Sequence, residues 1–321
     1  MSSSTERWGF QQPLFTQEML NDIEAELAKD GVFITLQRSS GEAIGNFNMC
    51  RGAGLGARGL APGEERTGNV VAFYGERYLH DLKRRGTPGI FFPVYNASVV
   101  FHGPNRTEQE TRETFARILS EFRASEEGIA IANLIKTELK GRAVDKVIAF
   151  GLGRIGFHRP GVLQSFYEHA AIKIIADAVE EVSSYPHISA SVQDPLYTDV
   201  CRAVLEEFGL GVVPGFGAKG FAMIDDRTIV LVHHPNFPFR EIVADIARPA
   251  LICMKEREVA DAARVFTKAS PDIRADVESV RSRRMLLEYR ETSLPDSIEQ
   301  KAFWANTWYI RNNVADSEQR G

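Results

Sequence analysis

The chain has 321 residues, 44% hydrophobic and 25% charged, enough to bury one large core or two small ones. Its 38 basic and 43 acidic side chains give a formal charge of -5, which excludes a global electrostatic case for nucleic-acid binding and leaves only local basic faces. No stretch approaches the roughly 18 apolar residues of a membrane span, and residues 1–12 are polar and Ser-rich without a signal-type apolar run, so a cytoplasmic or nuclear setting is expected.

Met19, Leu20, Ile23 and Leu27 predict an amphipathic helix from Thr16 to Lys29, with a short strand next at Val32 to Leu36. Arg38 to Gly68 is rich in Gly, Ser, Arg and Glu. Its Arg51-Gly-Ala-Gly-Leu-Gly-Ala-Arg-Gly59 stretch lacks the Gly-Lys-Ser/Thr of a phosphate loop and reads as a flexible surface loop. Strands are expected at Asn69 to Tyr74 and Ala97 to Phe101, with a helix at Glu76 to Arg85 between them. Thr107 and Glu110 form a capping box for a helix to Phe122, and Glu126 to Leu139 reads as another.

From there strands and helices alternate. Strands are expected at Lys146 to Phe150, Ile188 to Val192, Gly211 to Val213, Thr228 to Val232 and Ala250 to Met254. Helices are expected at Val162 to Val182, Tyr197 to Phe208 and Pro238 to Ile246. This pattern predicts an α/β fold, a Rossmann-like open, mainly parallel sheet with helices on both faces. The short apolar strands fit burial on both faces. Cys201 and Cys253 read as small buried hydrophobes, and with Cys50 they form no CxxC pair. Gly-Phe-Gly-Ala-Lys-Gly at 215–220 reads as a hairpin or loop tip. Asp276 to Arg290 and Ser297 to Arg311 read as C-terminal helices, the second carrying Phe303, Trp304, Trp308 and Tyr309 as a packing face. The organisation is an N-terminal α/β extension (1–140), a core (141–260) and a helical tail (261–321).

Ligands in an open parallel sheet bind outside the carboxyl ends of the strands. Four such loops carry functional residue types. Gly151-Leu-Gly-Arg-Ile-Gly156 has GxGxxG spacing, so Gly151 and Gly153 would let a ligand approach the backbone. Phe157-His-Arg-Pro-Gly161 delays the helix, and a plain strand-to-helix connection is the alternative. Ser165 and His169, four apart, share a helix face near Glu168. They suit a nucleophile with its base, or a surface serine and a core histidine. Asp194 is placed to hold a ribose hydroxyl or an amine, or to cap the helix at Tyr197. Adjacent His233 and His234 point to opposite faces, so one is expected at the site and one packed, with Asn236 nearby. No zinc-ligand spacing is present. Asp245 and Arg248 read as a structural bridge.

The ordered series Ile148-Ala-Phe-Gly-Leu-Gly153, Ser165-Phe-Tyr-Glu-His-Ala170, Val192-Gln-Asp-Pro-Leu-Tyr-Thr198, Val204-Leu-Glu-Glu-Phe-Gly209, His234-Pro-Asn236 and Ile246-Ala-Arg-Pro249 resembles the SRR1-like domain in its fungal form. Residues 14–106 and 303–311 resemble the fungal extensions more loosely. A fungal branch resembling this domain contains arginine-containing cyclodipeptide synthases. These take aminoacyl groups from tRNA and join arginine to a second amino acid as a diketopiperazine. The segment nearest to the branch's Asp-Asp-x-x-Glu motif is Ala176-Asp177-Ala-Val-Glu180, which lacks the first Asp.

The resemblance implies an activated ester substrate and therefore no cofactor or metal. Ser165 or Tyr167 would be the nucleophile, with Glu168 beside it, and His169 or His233 the base. Asp177, Glu180 or Asp194 would meet the guanidinium. Gly151, Gly153, Tyr197, His234 and Asn236 would line the substrate. The partners would be arginyl-tRNA and a second charged tRNA, met by Lys83-Arg84-Arg85 or by Arg281, Arg283 and Arg284. The alternative is a non-catalytic SRR1-like regulatory or binding module. The GxGxxG spacing also admits a Rossmann dehydrogenase or methyltransferase. Its acidic ribose partner should lie about 20 residues beyond the loop, and Asp194 lies about twice as far.

Overall fold

The computed structural model describes residues 13–38, 40–47, 64–66, 70–76, 78–79, 82, 93–97, 100–102, 106–156, 163–185, 187–233, 235, 237–255, 276, 278–303 and 306–312. Helix α1 (Gln17–Ala28) is capped by the Thr16 side chain, which accepts from the Met19 N–H. Strands β1 (Phe33–Gln37) and β2 (Ala43–Phe47) form an antiparallel pair. Two further antiparallel pairs follow: β3 (Glu64–Arg66) with β6 (Val100–His102), and β4 (Val70–Phe73) with β5 (Val94–Ala97). The capping box of Thr107 and Glu110 opens α2 (Glu108–Arg123), and Ser125 caps α3 (Glu126–Glu138).

The core then runs β7 (Lys146–Phe150), α4 (Gln164–Val182), β8 (Ser189–Gln193), α5 (Asp199–Glu207), β9 (Gly211–Val212), α6 (Lys219–Ala222), β10 (Thr228–Val232), α7 (Phe239–Ile246) and β11 (Leu251–Lys255). It ends with α8 (Val280–Leu286), β12 (Tyr289–Thr292) and β13 (Asn306–Arg311). One seven-stranded sheet has the order β12-β13-β11-β10-β7-β8-β9. Strands β7 to β11 pair in parallel, and β13 is antiparallel to both neighbours. Counted from β7, the parallel strands lie in the order 3-2-1-4-5, so the topological switch point falls between β7 and β10.

Alternation along each strand divides the apolar residues between two cores. Val147, Ala149, Ile229 and Leu231 face α2, α3, α4 and α5. Ile148, Phe150, Val230 and Val232 face α1, α6 and α7. Both sides are covered, which is why the strands read as unbroken apolar runs.

The tail differs from the expected pair of helices. Helix α8 stops at Leu286, and residues 306–311 are a strand inside the sheet. Trp308 and Ile310 enter one core and Tyr309 the other, a period of two. Thr307, Trp308, Tyr309 and Ile310 are all strand formers, and burial on both sides outweighs the helix-like spacing of the aromatics. The Gly-, Ser-, Arg- and Glu-rich segment 38–68 contains β2 and β3, while the 51–59 stretch expected as a loop and Cys50 lie outside the described residues. The 215–220 segment is no hairpin. The Glu24 carboxylate accepts the N–H groups of Phe216, Ala218 and Lys219, and the chain turns directly into α6. Gly215 and Gly217 adopt φ of 111° and 114° there. No helix among the described residues is long and apolar enough to cross a membrane.

Candidate functional site

Strand β7 delivers the chain to the switch point, where Gly151 and Gly153 take φ of 68° and 69°. A side chain would be strained at either position, so the loop stays small and close to its neighbours. The Gly151 N–H donates to the Gln193 carbonyl at 3.1 Å. The Gly153 N–H donates to Asp194 Oδ2 at 2.8 Å, and the Leu196 N–H to Asp194 Oδ1 at 2.8 Å. Asp194 therefore ties the loop after β7 to the turn after β8. It remains partly exposed. Burial raises its pKa against the lowering effect of these two amides.

Helix α4 starts at Gln164, two residues later than expected. The Ser165 hydroxyl donates to the Gly153 carbonyl at 3.0 Å and lies 3.5 Å from His169 Nδ1. That nitrogen is 2.6 Å from the Ser165 carbonyl, which only accepts, so Nδ1 carries the proton. His169 Nε2 then accepts from the Tyr197 hydroxyl at 2.6 Å. Burial lowers the His169 pKa to about 4, and the ring is neutral at pH 7.

The preceding residue of the same helix meets the end of β10. Glu168 Oε1 lies 3.8 Å from His233 Nε2, both side chains being almost fully buried. Burial pushes the Glu168 carboxyl up to about 8, the Asp194 charge adds to this, and the hydrogen bond from Gln164 opposes it. Asn306 on β13 orients the imidazole. Its amide donates to the Val232 carbonyl at 3.2 Å, which turns its oxygen toward His233 Nδ1 at 3.0 Å. Nδ1 is thereby the donor, and Nε2 faces the Glu168 carboxyl. Phe303 packs edge-on to the His233 ring at 6.2 Å. Gln164 Nε2 donates to both Glu168 Oε1 (3.0 Å) and the Ala302 carbonyl (2.6 Å). Buried Glu127 accepts the N–H groups of Lys301 and Ala302 and so fixes that segment.

The sequence-predicted residues divide accordingly. Gly151, Gly153, Ser165, Glu168, His169, Asp194, Tyr197 and His233 come together at the carboxyl edge of the sheet. Tyr167 faces away, with its ring 5.8 Å from that of Phe122. Asp177 lies three turns further along α4, ion-paired with Arg123 and Lys173, and Glu180 is exposed one turn beyond it. At 1.5 Å of rise per residue, both are on the order of 20 Å from Ser165, at the opposite edge. His234 and Asn236 lie outside the described residues, as does Lys83-Arg84-Arg85. Arg281 points inward, to Glu76, Glu241 and Asp245, while Arg283 is exposed. Asp245 accepts the N–H groups of Leu14 and Phe15, and Arg248 bridges to Glu288. Gln164, Asn306 and Glu127 join the network without having stood out in the sequence. Asn306 belongs to a strand that aromatic spacing disguised. Among the described residues, no three His, Cys, Asp or Glu side chains are placed to hold a metal ion.

Fold and site together define a Rossmann-type α/β protein with a glycine loop and an acid–imidazole pair at its switch point. A family model of the SRR1 domain matches residues 118–310, well over half of the chain, and the chain belongs to that family. The match takes in α3 and β13, the elements that supply Glu127 and Asn306. No curated protein matches the chain.

Proposed function

We propose that this SRR1-domain chain transfers aminoacyl groups from charged tRNA and joins arginine to a second amino acid as a diketopiperazine. The observation that carries the reading is the buried Glu168–His233 pair at the strand ends. Aminolysis of an aminoacyl ester needs a base for the attacking α-amine and an acid for the departing ribose oxygen. His233, oriented by Asn306, would take the first task, and Glu168 with a pKa near 8 keeps a proton for the second. In each step a C–N bond forms, a C–O bond breaks, the amine proton passes to His233, and the ribose oxygen takes the Glu168 proton. The proton on His233 then returns to Glu168, and a second such step closes the ring.

Ser165 is the hydroxyl nearest the loop and would serve as acceptor if one aminoacyl group is first moved onto the protein. His169 cannot take its proton, because Nδ1 already donates to a carbonyl and Nε2 receives the Tyr197 hydroxyl. The base role therefore goes to His233. Asp177 and Glu180 are too distant to meet the guanidinium of a substrate held here, which leaves Asp194 as the partly exposed carboxylate at this edge. Exposed Arg283 and Arg284 are the basic groups left on α8 for the tRNA.

One observation favours a second reading, a non-catalytic regulatory or binding module. His169 and Asp194 are already satisfied by the protein's own groups, as in a structural network. Incubating the purified chain with arginyl-tRNA and other charged tRNAs separates the two. Arginine-containing cyclic dipeptides in the mass spectrum, lost in E168Q, support the synthase. Their absence with every arginine pair overturns it and leaves the binding module.

A further inference from the structure

We infer that the switch-point edge between β7 and β10 is a ribonucleoside site, with Asp194 accepting a ribose hydroxyl. The inference deepens the reading above as to ligand class but rests on it only for location. Three observations carry it. The first is topology. The strand order places the ends of β7, β8 and β10 together, where open α/β sheets hold their ligands. Continued through β12 and the reversed β13, the order is 3-2-1-4-5-7-6, and in doubly wound dinucleotide-binding sheets an acidic group beyond the glycine loop takes a ribose hydroxyl. Asp194 immediately follows the second strand here, β8. The long linear separation from the glycines reflects the 19-residue α4, and in space Asp194 touches the Gly153 amide.

The second observation concerns which ligand class fits. Asp194 Oδ2 occupies the Gly153 N–H, the type of loop amide that would otherwise receive a phosphate. A phosphate there would be forced against a carboxylate. The loop is therefore arranged for a nucleoside with a neutral or cationic substituent at that point and not for a pyrophosphate. The third observation is lone-pair geometry. Each Asp194 oxygen already accepts one backbone N–H and keeps one further acceptor site, which can take a ribose hydroxyl.

An adenosine meets this description from two sources, a free S-adenosyl compound or the aminoacylated terminal adenosine of a tRNA, which keeps one free ribose hydroxyl. Calorimetric titration of the full chain tests the inference. The probes are S-adenosylhomocysteine, a 3′-aminoacylamino-adenosine, adenosine, 2′,3′-dideoxyadenosine and ATP. The first two distinguish the sources, and binding of either supports the site. Adenosine should bind at least about tenfold more tightly than its dideoxy form, the worth of one or two lost hydrogen bonds, and more tightly than ATP. No nucleoside binding at millimolar concentration, equal binding of the dideoxy form, or preferential binding of ATP would each overturn it. No substitution is needed, so folding failure cannot confuse the result. Binding without cyclic dipeptide formation would sink the synthase reading alone.

Discussion

Glu168 is the residue on which the chemistry turns, because burial keeps its proton at neutral pH opposite His233. Its folded pKa of about 8 lies above the ordinary value of 4.5. Across that window the folded chain holds a proton that the unfolded chain has released. The stability linked to this group is therefore complete below 4.5 and lost as pH rises toward 8, by up to about 1.4 kcal/mol per pH unit. Glutamine mimics the neutral acid without its proton. E168Q should flatten the pH dependence of unfolding free energy between about pH 5 and 8, read by urea titration, and an unchanged slope would contradict the assignment. The same variant should lower turnover by about 10²–10⁴ while leaving the fold intact at neutral pH. Tyr197 makes a simpler case. Tyr197→Phe leaves the buried His169 Nε2 without its donor and should cost about 1–3 kcal/mol of stability, measured by thermal or urea unfolding.

At the scale of elements, most of the core was legible. Its strands are apolar runs bounded by turn residues, and Thr107, Ser125 and Thr198 cap α2, α3 and α5. The glycine loop and Asp194 were visible for the same reason, since strand ends can be counted. The tail was not. Phe303, Trp308 and Tyr309 repeat at nearly helical spacing, and only the partner strands reveal that Trp308 and Tyr309 alternate between two cores. Asn306, which orients His233, was hidden with them. The i,i+4 pairing of Ser165 and His169 was equally readable. That both His169 nitrogens are already engaged was not, because that depends on a carbonyl and a tyrosine that only the fold brings near. The joint between α2 and α3 gives an element-scale test. A Cβ on Gly128 would lie 2.0 Å from the Phe122 carbonyl oxygen, so Gly128→Ala must open that corner and should destabilise the chain by about 1–3 kcal/mol.

At the scale of the molecule, the N-terminal and C-terminal segments are bound to the core by charge as well as by apolar contact. Arg281 of α8 is set among Glu76, Glu241 and Asp245, and Asp245 also holds the backbone of Leu14 and Phe15. Removing the guanidinium strands buried carboxylates. Arg281→Ala should cost about 3–5 kcal/mol, seen as a large shift in the urea midpoint, whereas Arg283→Ala on the exposed face should change stability by less than about 1 kcal/mol. The account's central claim is that Glu168 holds a proton opposite His233 at the sheet edge. Carbon-13 NMR of the side-chain carboxyls, assigned by the resonance missing from E168Q, tests it most directly. The account predicts that this carboxyl titrates near pH 8. A midpoint near the ordinary 4.5 would contradict it and remove the acid from the proposed mechanism.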